Sequence, residues 1–146
     1  MRYLMQKGID MMSRNQNGSN ALHISVKKEN VKVVQALIDI KYPLDYTKNN
    51  GVTAVGIAAY KGNLKILDLL YRAGADINLT SKHGAGPLYL AIKQDRIDVV
   101  KYLIERNAFV HLYDPSQSEY SPLFQSIRLG NFQAMEHICD TGIDLD

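Results

Sequence analysis

Long apolar runs, an export signal and paired cysteines are all missing from this sequence. No stretch approaches the roughly 20 consecutive apolar residues that cross a bilayer as a helix, and the opening MRYLMQKGID lacks the apolar core of a signal peptide. Membrane insertion is therefore not expected, and cytoplasm or nucleus is the expected location. The one cysteine, Cys139, excludes an internal disulfide and a cysteine-based zinc site and fits a reducing compartment. Catalytic signatures are missing as well: there is no G-x-x-x-x-G-K-[ST], no G-x-G-x-x-G after a strand and no G-x-S-x-G. His23, His83, His111 and His137 share no i, i+4 metal-ligand spacing, and no carboxylate pair is placed for acid–base work. The chain is expected to be no enzyme and to hold no cofactor or metal.

What is present suits one domain. The 146 residues are 46% apolar, enough for a sizeable core. The net charge of +2 conceals an asymmetry: residues 1–75 carry 11 Lys/Arg against 5 Asp/Glu, and residues 76–146 carry 6 against 10. A basic start and an acidic end make a dipole that can orient a partner without bearing on the fold.

The sequence repeats with a period of 33. NGSNALHISVKKENVKVVQALIDIKYPLD (17–45), NGVTAVGIAAYKGNLKILDLLYRAGADIN (50–78) and HGAGPLYLAIKQDRIDVVKYLIERNAFVH (83–111) align without a gap, with Gly18, Gly51 and Gly84 coincident. A fourth copy, EYSPLFQSIRLGNFQAMEHICDTGIDLD (119–146), follows two extra residues in the loop containing Pro115 and Ser116, and YLMQKGIDMM (3–12) matches the last third of a copy. Each copy reads as a short helix, a break, a second helix and a polar loop. Asn20, Thr53, Gly86 and Ser121 stand where N-caps are needed, with Pro87 and Pro122 following where a missing N–H costs nothing.

The first helices are expected to end at Glu29-Asn30, Gly62-Asn63, Asp95-Arg96 and Gly130-Asn131. The second helices carry apolar residues at helical spacing, such as Val33, Val34, Leu37 and Ile38, which demands burial. They end at Gly8, Lys41, Gly74, Asn107 and Gly142, where glycine and asparagine suit a positive φ and lysine does not. Cys139, aligned with Ile38, Tyr71 and Ile104, is expected to be a small buried apolar residue rather than a nucleophile. Asp76 and Asp144 are expected to hydrogen-bond the loop backbone.

These pieces resemble ankyrin repeats, with GVTAVGIAAYKGNLKILDLLYRAGADIN the nearest to that family's pattern. The family's T-P-L-H tetrad reads NALH, TAVG, GPLY and SPLF, so only His23 keeps the histidine. The resemblance implies an all-α solenoid of helix-turn-helix units with protruding loop or β-hairpin fingers. It spans 1–146 as one domain, with a partial unit at 1–14 and units at 15–47, 48–80, 81–113 and 114–146. Neither end reads as a polar cap, so further repeats or another subunit are expected to cover the ends. The resemblance also implies asparagine hydroxylation at Asn78, the position so modified in some members.

It implies, further, a non-catalytic protein-protein interaction module that binds on a concave face of first helices and loop tips. The tips supply Asn49, Asn50, Lys82, His83 and Tyr120; the last turns of the first helices supply Lys27, Lys28, Tyr60, Lys61, Lys93, Gln94, Arg128 and Leu129. Five of these last eight are basic and none is acidic, over a ladder of about 30 Å if helices pack at their usual spacing. Cations at a helix C-terminus also complement the macrodipole, by about 0.3–1 kcal/mol each, with no partner needed. That effect accounts for one basic residue per helix but not for the absence of acids beside it.

A functional ladder would take an acidic or phosphorylated protein segment, with an apolar side chain near Tyr60. Nucleic acid is not expected, since the chain is barely basic overall and its aromatics do not alternate with Lys/Arg. Two other readings stand beside this one: a regulatory or targeting domain of a larger enzyme or channel, and a fixed component of an assembly packed through the convex second helices. Lys32, Lys65, Asp98, Lys101 and Glu105 on that convex side are mixed in sign.

Overall fold

A computed structural model of the chain describes residues 12–108 and 121–140. Nearly all of the expected partial unit at 1–14, His111, the finger ending at Tyr120, and the turns at Gly8, Gly142 and Asp144 lie outside the described residues. Among the described residues there are eight helices and no strand: α1 (Ala21–Lys27), α2 (Val31–Asp39), α3 (Ala54–Lys61), α4 (Leu64–Arg72), α5 (Pro87–Lys93), α6 (Ile97–Glu105), α7 (Pro122–Arg128) and α8 (Phe132–Asp140). None is long and apolar enough to cross a membrane.

Helices of seven to nine residues are marginal alone, so stacking must hold them. The odd-numbered helices pack in succession as one layer, α1 on α3, α3 on α5 and α5 on α7; the even-numbered helices form the second layer in the same order. The core runs between the layers, with Val26, Val34, Ala58, Leu67, Leu70, Ile92, Leu103 and Ile138 all at 1% exposure or less. In α3, buried Ala54, Ala58 and Ala59 keep that helix slim enough to sit between α1 and α5.

Caps appear where the sequence places them, with one exception. Asn20 Oδ1 accepts from His23 N–H at 3.1 Å and Thr53 Oγ1 from Gly56 N–H at 3.2 Å. Ser121 makes no side-chain cap; Pro122 alone marks that start. The second helices are capped by the residue after each turn, Asn30 to Val33 N–H, Asn63 to Ile66 N–H and Asn131 to Ala134 N–H, whereas Arg96 has no such acceptor.

Every first helix ends in a left-handed residue, and two of these are not glycine: Glu29 and Asp95 both have φ +56, beside Gly62 at +76 and Gly130 at +64. The acidic side chains at these turns are used. Asn63 donates to Glu29 Oε1 at 3.2 Å and Asn131 to Asp95 Oδ1 at 2.8 Å, each from the next helical pair. Over Gly62 the next pair presents Arg96 instead, whose Nε donates to Tyr60 O at 3.4 Å. A Cβ at Gly62 would lie 2.6 Å from Arg96 Cδ. Second-helix ends behave as expected, with Gly74 at φ +99, Asn107 at +59 and Lys41 forced to +60.

The fingers are tight turns. Gly18, Gly51 and Gly84 donate to the carbonyls of Asn15, Lys48 and Ser81, and adjacent fingers are joined by Asn49 N–H to Asn17 O at 3.1 Å and Lys82 N–H to Asn50 O at 3.0 Å. All three glycines take a positive φ, +75, +83 and +87, and two are also crowded: a Cβ on Gly18 would lie 2.7 Å from Asn49 N, and one on Gly51 2.6 Å from Lys82 N.

The expected burial of Cys139 is corrected: it is exposed, although the aligned Ile104 is buried. The position is not uniformly core along the repeats, for the aligned Ile38 is half-buried and Tyr71 37% exposed.

Candidate protein-binding face

The ladder residues sit on the final turns of consecutive packed helices. Lys27 is the last residue of α1 and Lys28 its C-cap; Tyr60 and Lys61 end α3; Lys93 ends α5 with Gln94 its C-cap; Arg128 ends α7 with Leu129 its C-cap. Because α1, α3, α5 and α7 are neighbours in that order, the four steps follow one another at roughly the 8–10 Å of packed helices. Lys27, Lys28, Lys93 and Arg128 are exposed, Lys61 and Gln94 half-buried, and Tyr60 and Leu129 are 45% and 50% exposed.

The five cations are unpaired. Among the described residues the ion pairs are Arg72 with Asp68 and Arg106 with Glu105, both on second helices. The carboxylates nearest in sequence, Glu29 and Asp95, are held at the turns by Asn63 and Asn131 and form no ion pair with a ladder cation.

The finger residues divide into two groups. Asn49 Nδ2 donates to Gln16 O at 2.8 Å and Asn50 Oδ1 accepts from Val52 N–H at 3.2 Å, so one end of each exposed amide helps build the fingers. Lys82 and His83 are exposed, with only their backbone N–H groups engaged. Tyr120 lies outside the described residues.

His23 is 2% exposed, its Nδ1 accepting from Asn20 N–H at 3.1 Å and its Nε2–H donating to Tyr46 O at 2.8 Å. Burial holds its pKa below the ordinary value, with the Tyr46 carbonyl working against that shift. Its aligned residues Gly56, Tyr89 and Phe124 have no ring nitrogen to make these bonds. Among the described residues no three His, Cys, Asp or Glu side chains form a metal-binding group. Asp76 Oδ1 accepts from Asn78 N–H at 2.8 Å, the loop bond expected of it.

Two features of the surface escaped the sequence reading. Between the α5–α6 and α7–α8 turns opens a groove of about 640 Å³ lined by Ile92, Lys93, Asp95, Ile97, Leu129 and Phe132 among others. Only its period-33 alignment hinted at it, since Leu129 breaks the polar pattern set by Lys28, Lys61 and Gln94. The second feature is a clasp between α4 and α6 built from Asp68, Arg72, Tyr102 and Arg106. A spacing of 34 between polar residues carries no signal in a single sequence.

Among known families, the model described as ankyrin repeats (3 copies) matches residues 1–81 and again 58–146. No curated protein matches the chain.

Proposed function

The chain belongs to the ankyrin repeat family, whose members are generally protein-protein interaction modules and typically non-catalytic, and from that premise we propose that its concave face binds an acidic or phosphorylated protein segment. The observation that carries this reading is the set of five cations, Lys27, Lys28, Lys61, Lys93 and Arg128, on consecutive first-helix ends with no ion pair among the described residues. Each exposed pair with a ligand carboxylate contributes about 0.2–1 kcal/mol, so affinity comes from several rungs engaged together. Lys82 and His83 extend the basic surface toward the fingers. Under this reading the chain is one array over 1–146, its units falling at 15–47, 48–80, 81–113 and 114–146 after the partial 1–14. Further repeats or another subunit cover its ends. The exposed single thiol of Cys139 fits a reducing compartment, cytoplasm or nucleus.

The test is equilibrium binding of a glutamate-rich peptide, its phosphoserine counterpart and a lysine-rich control, each at low and high salt. Binding of the two anionic peptides that weakens as salt rises, with none for the lysine peptide, supports the proposal. Equal binding of all three, or binding insensitive to salt, sinks it.

A further inference from the structure

An apolar row runs beside the cations within the stack. One turn before each rung stand Ile24, Ile57, Leu90 and Gln125, apolar in three copies and polar in the fourth. Residues three and four apart share a helix face, so Ile24 lies beside Lys27 and Lys28, Ile57 beside Tyr60 and Lys61, and Leu90 beside Lys93. Ile24 is 41% and Tyr60 45% exposed, and Ile57 and Leu90 are half-buried. Because α3 packs between α1 and α5, and α5 between α3 and α7, the surface left on Tyr60, Ile57 and Leu90 does not come from an end of the array. Leu90 Cδ1 and Val52 Cγ1, the latter from a finger, lie 3.4 and 3.2 Å from where a Cβ on Gly56 would stand. The apolar row therefore borders the fingers, with the cations on its other side.

This arrangement constrains the shape of a ligand. Three to four residues along a helix set the two rows about 4.5–6 Å apart on one surface. A segment that meets both rows presents apolar and acidic side chains next to each other on one side. Successive side chains of an extended segment point to opposite faces, so acids alternating with apolar residues would turn away from the cations. An amphipathic helix carries neighbouring stripes on one surface and lays its apolar stripe against a partner's apolar strip. Spanning three first helices at roughly 8–10 Å per step takes about 16–20 Å, which a helix covers in about 11–13 residues.

We infer that the ligand binds as an amphipathic helix of about 11–13 residues, its apolar stripe along Ile24, Ile57 and Leu90 and its acidic flank on Lys27, Lys61 and Lys93. This rests on the acidic-segment reading above and adds the conformation and the apolar stripe. Charge selects the occupant, because the cations flanking the row form no ion pair among the described residues. A two-fold contact with a second copy would set these lysines against their own counterparts.

The test uses three labelled peptides of about 13 residues made from leucine, glutamate and alanine. The first places leucines on one helical face with glutamates along one flank, the second has the same composition with leucine and glutamate alternating, and the third is the first with lysine for glutamate. Binding is measured to the full chain, to Tyr60→Ser at an exposed site, and to Tyr60→Ser with Leu90→Gln, the latter placing the residue that the fourth copy carries as Gln125. Melting temperatures of the variants report that they are folded. The striped peptide is expected to bind about tenfold tighter than the alternating one and to gain helical circular dichroism on binding. Both variants should shrink that advantage and leave the alternating peptide unchanged. Equal or tighter binding of the alternating peptide, no gain of helix, or a full advantage kept by folded variants overturns the helical stripe while the basic face stands. If the lysine peptide binds as well as the glutamate one, or none binds, the basic face falls and the inference with it. Self-association of the chain in sedimentation, abolished by Tyr60→Ser, assigns the row to a second copy and also overturns the inference.

Discussion

Tyr102 in α6 donates its phenolic hydroxyl to Asp68 Oδ1 in α4 at 2.6 Å, joining two neighbouring helical pairs. Arg72 holds the same carboxylate through Nε at 3.0–3.1 Å, and the Arg106 guanidinium lies 3.4 Å from the centre of the Tyr102 ring, which meets Tyr71 edge-on at 6.2 Å. Burial and the bond to Asp68 push the Tyr102 phenol up to about 12. The unfolded chain therefore loses this proton near the ordinary value of 10 while the folded chain keeps it. The clasp's contribution is fully present below pH 10 and is lost as pH rises toward 12. Urea unfolding across this range should show a decline in the unmodified chain that is largely absent from Tyr102→Phe. Parallel declines would mean that the phenol is not the titrating group.

His23 predicts the opposite pH edge. Its folded pKa is lowered from 6.5 by burial, so the stability carried by the neutral ring is complete above that value. Stability falls as acid protonates the unfolded chain first. His23→Ala should cost about 1–3 kcal/mol at neutral pH by stranding the Asn20 N–H and the Tyr46 carbonyl. Thermal melts at neutral and mildly acid pH test both points, and the gap between the two proteins should narrow in acid.

Asn20 is a flaw that can be repaired. Its Oδ1 caps α1, but its Nδ2 is buried with no hydrogen-bond partner among the described residues. Asn20→Thr keeps a capping oxygen, as Thr53 does, and removes the orphaned donor; it should stabilise by about 1–2 kcal/mol. A lower melting temperature would show that the amide is satisfied in solution.

Lys41 occupies a left-handed position, φ +60, that Gly74 fills one copy later at φ +99 and Asn107 two copies later at φ +59. Left-handed backbone costs a residue other than glycine or asparagine about 1 kcal/mol or more. Lys41→Asn should therefore raise stability by up to about 1 kcal/mol, read as a shift in the urea midpoint at constant slope. Destabilisation would place the strain elsewhere.

Much of the fold was legible because each copy repeats its own punctuation. Asn20, Thr53, the two prolines and the glycines at 18, 51 and 84 mark starts and turns in register, and the finger contacts show why those glycines coincide. Less legible were the turns at Glu29 and Asp95, where a bond from the following pair's asparagine accompanies a backbone conformation that propensity argues against. Cys139 misleads because the period of 33 aligns it with Ile38, Tyr71 and Ile104, and of these only Ile104 is buried, Ile38 being half-buried and Tyr71 37% exposed. The ladder's positions were readable; the use of Asn49 and Asn50 inside the fingers was not, because an asparagine at a loop tip looks the same whether it binds a partner or its neighbour.

The central claim is that the unpaired first-helix cations bind an acidic protein segment. Its most direct test is the affinity of the glutamate-rich peptide for the chain carrying Lys28→Glu, Lys61→Glu and Lys93→Glu together, with the melting temperature measured on the same sample. Reversing three rungs should weaken binding by more than about tenfold, since each pair contributes about 0.2–1 kcal/mol and is replaced by repulsion. The melting temperature should fall only modestly and the variant stay folded, because none of the three lysines forms an ion pair among the described residues and each reversal loses a helix-end interaction of about 0.3–1 kcal/mol. Unchanged affinity in a folded variant would contradict the account.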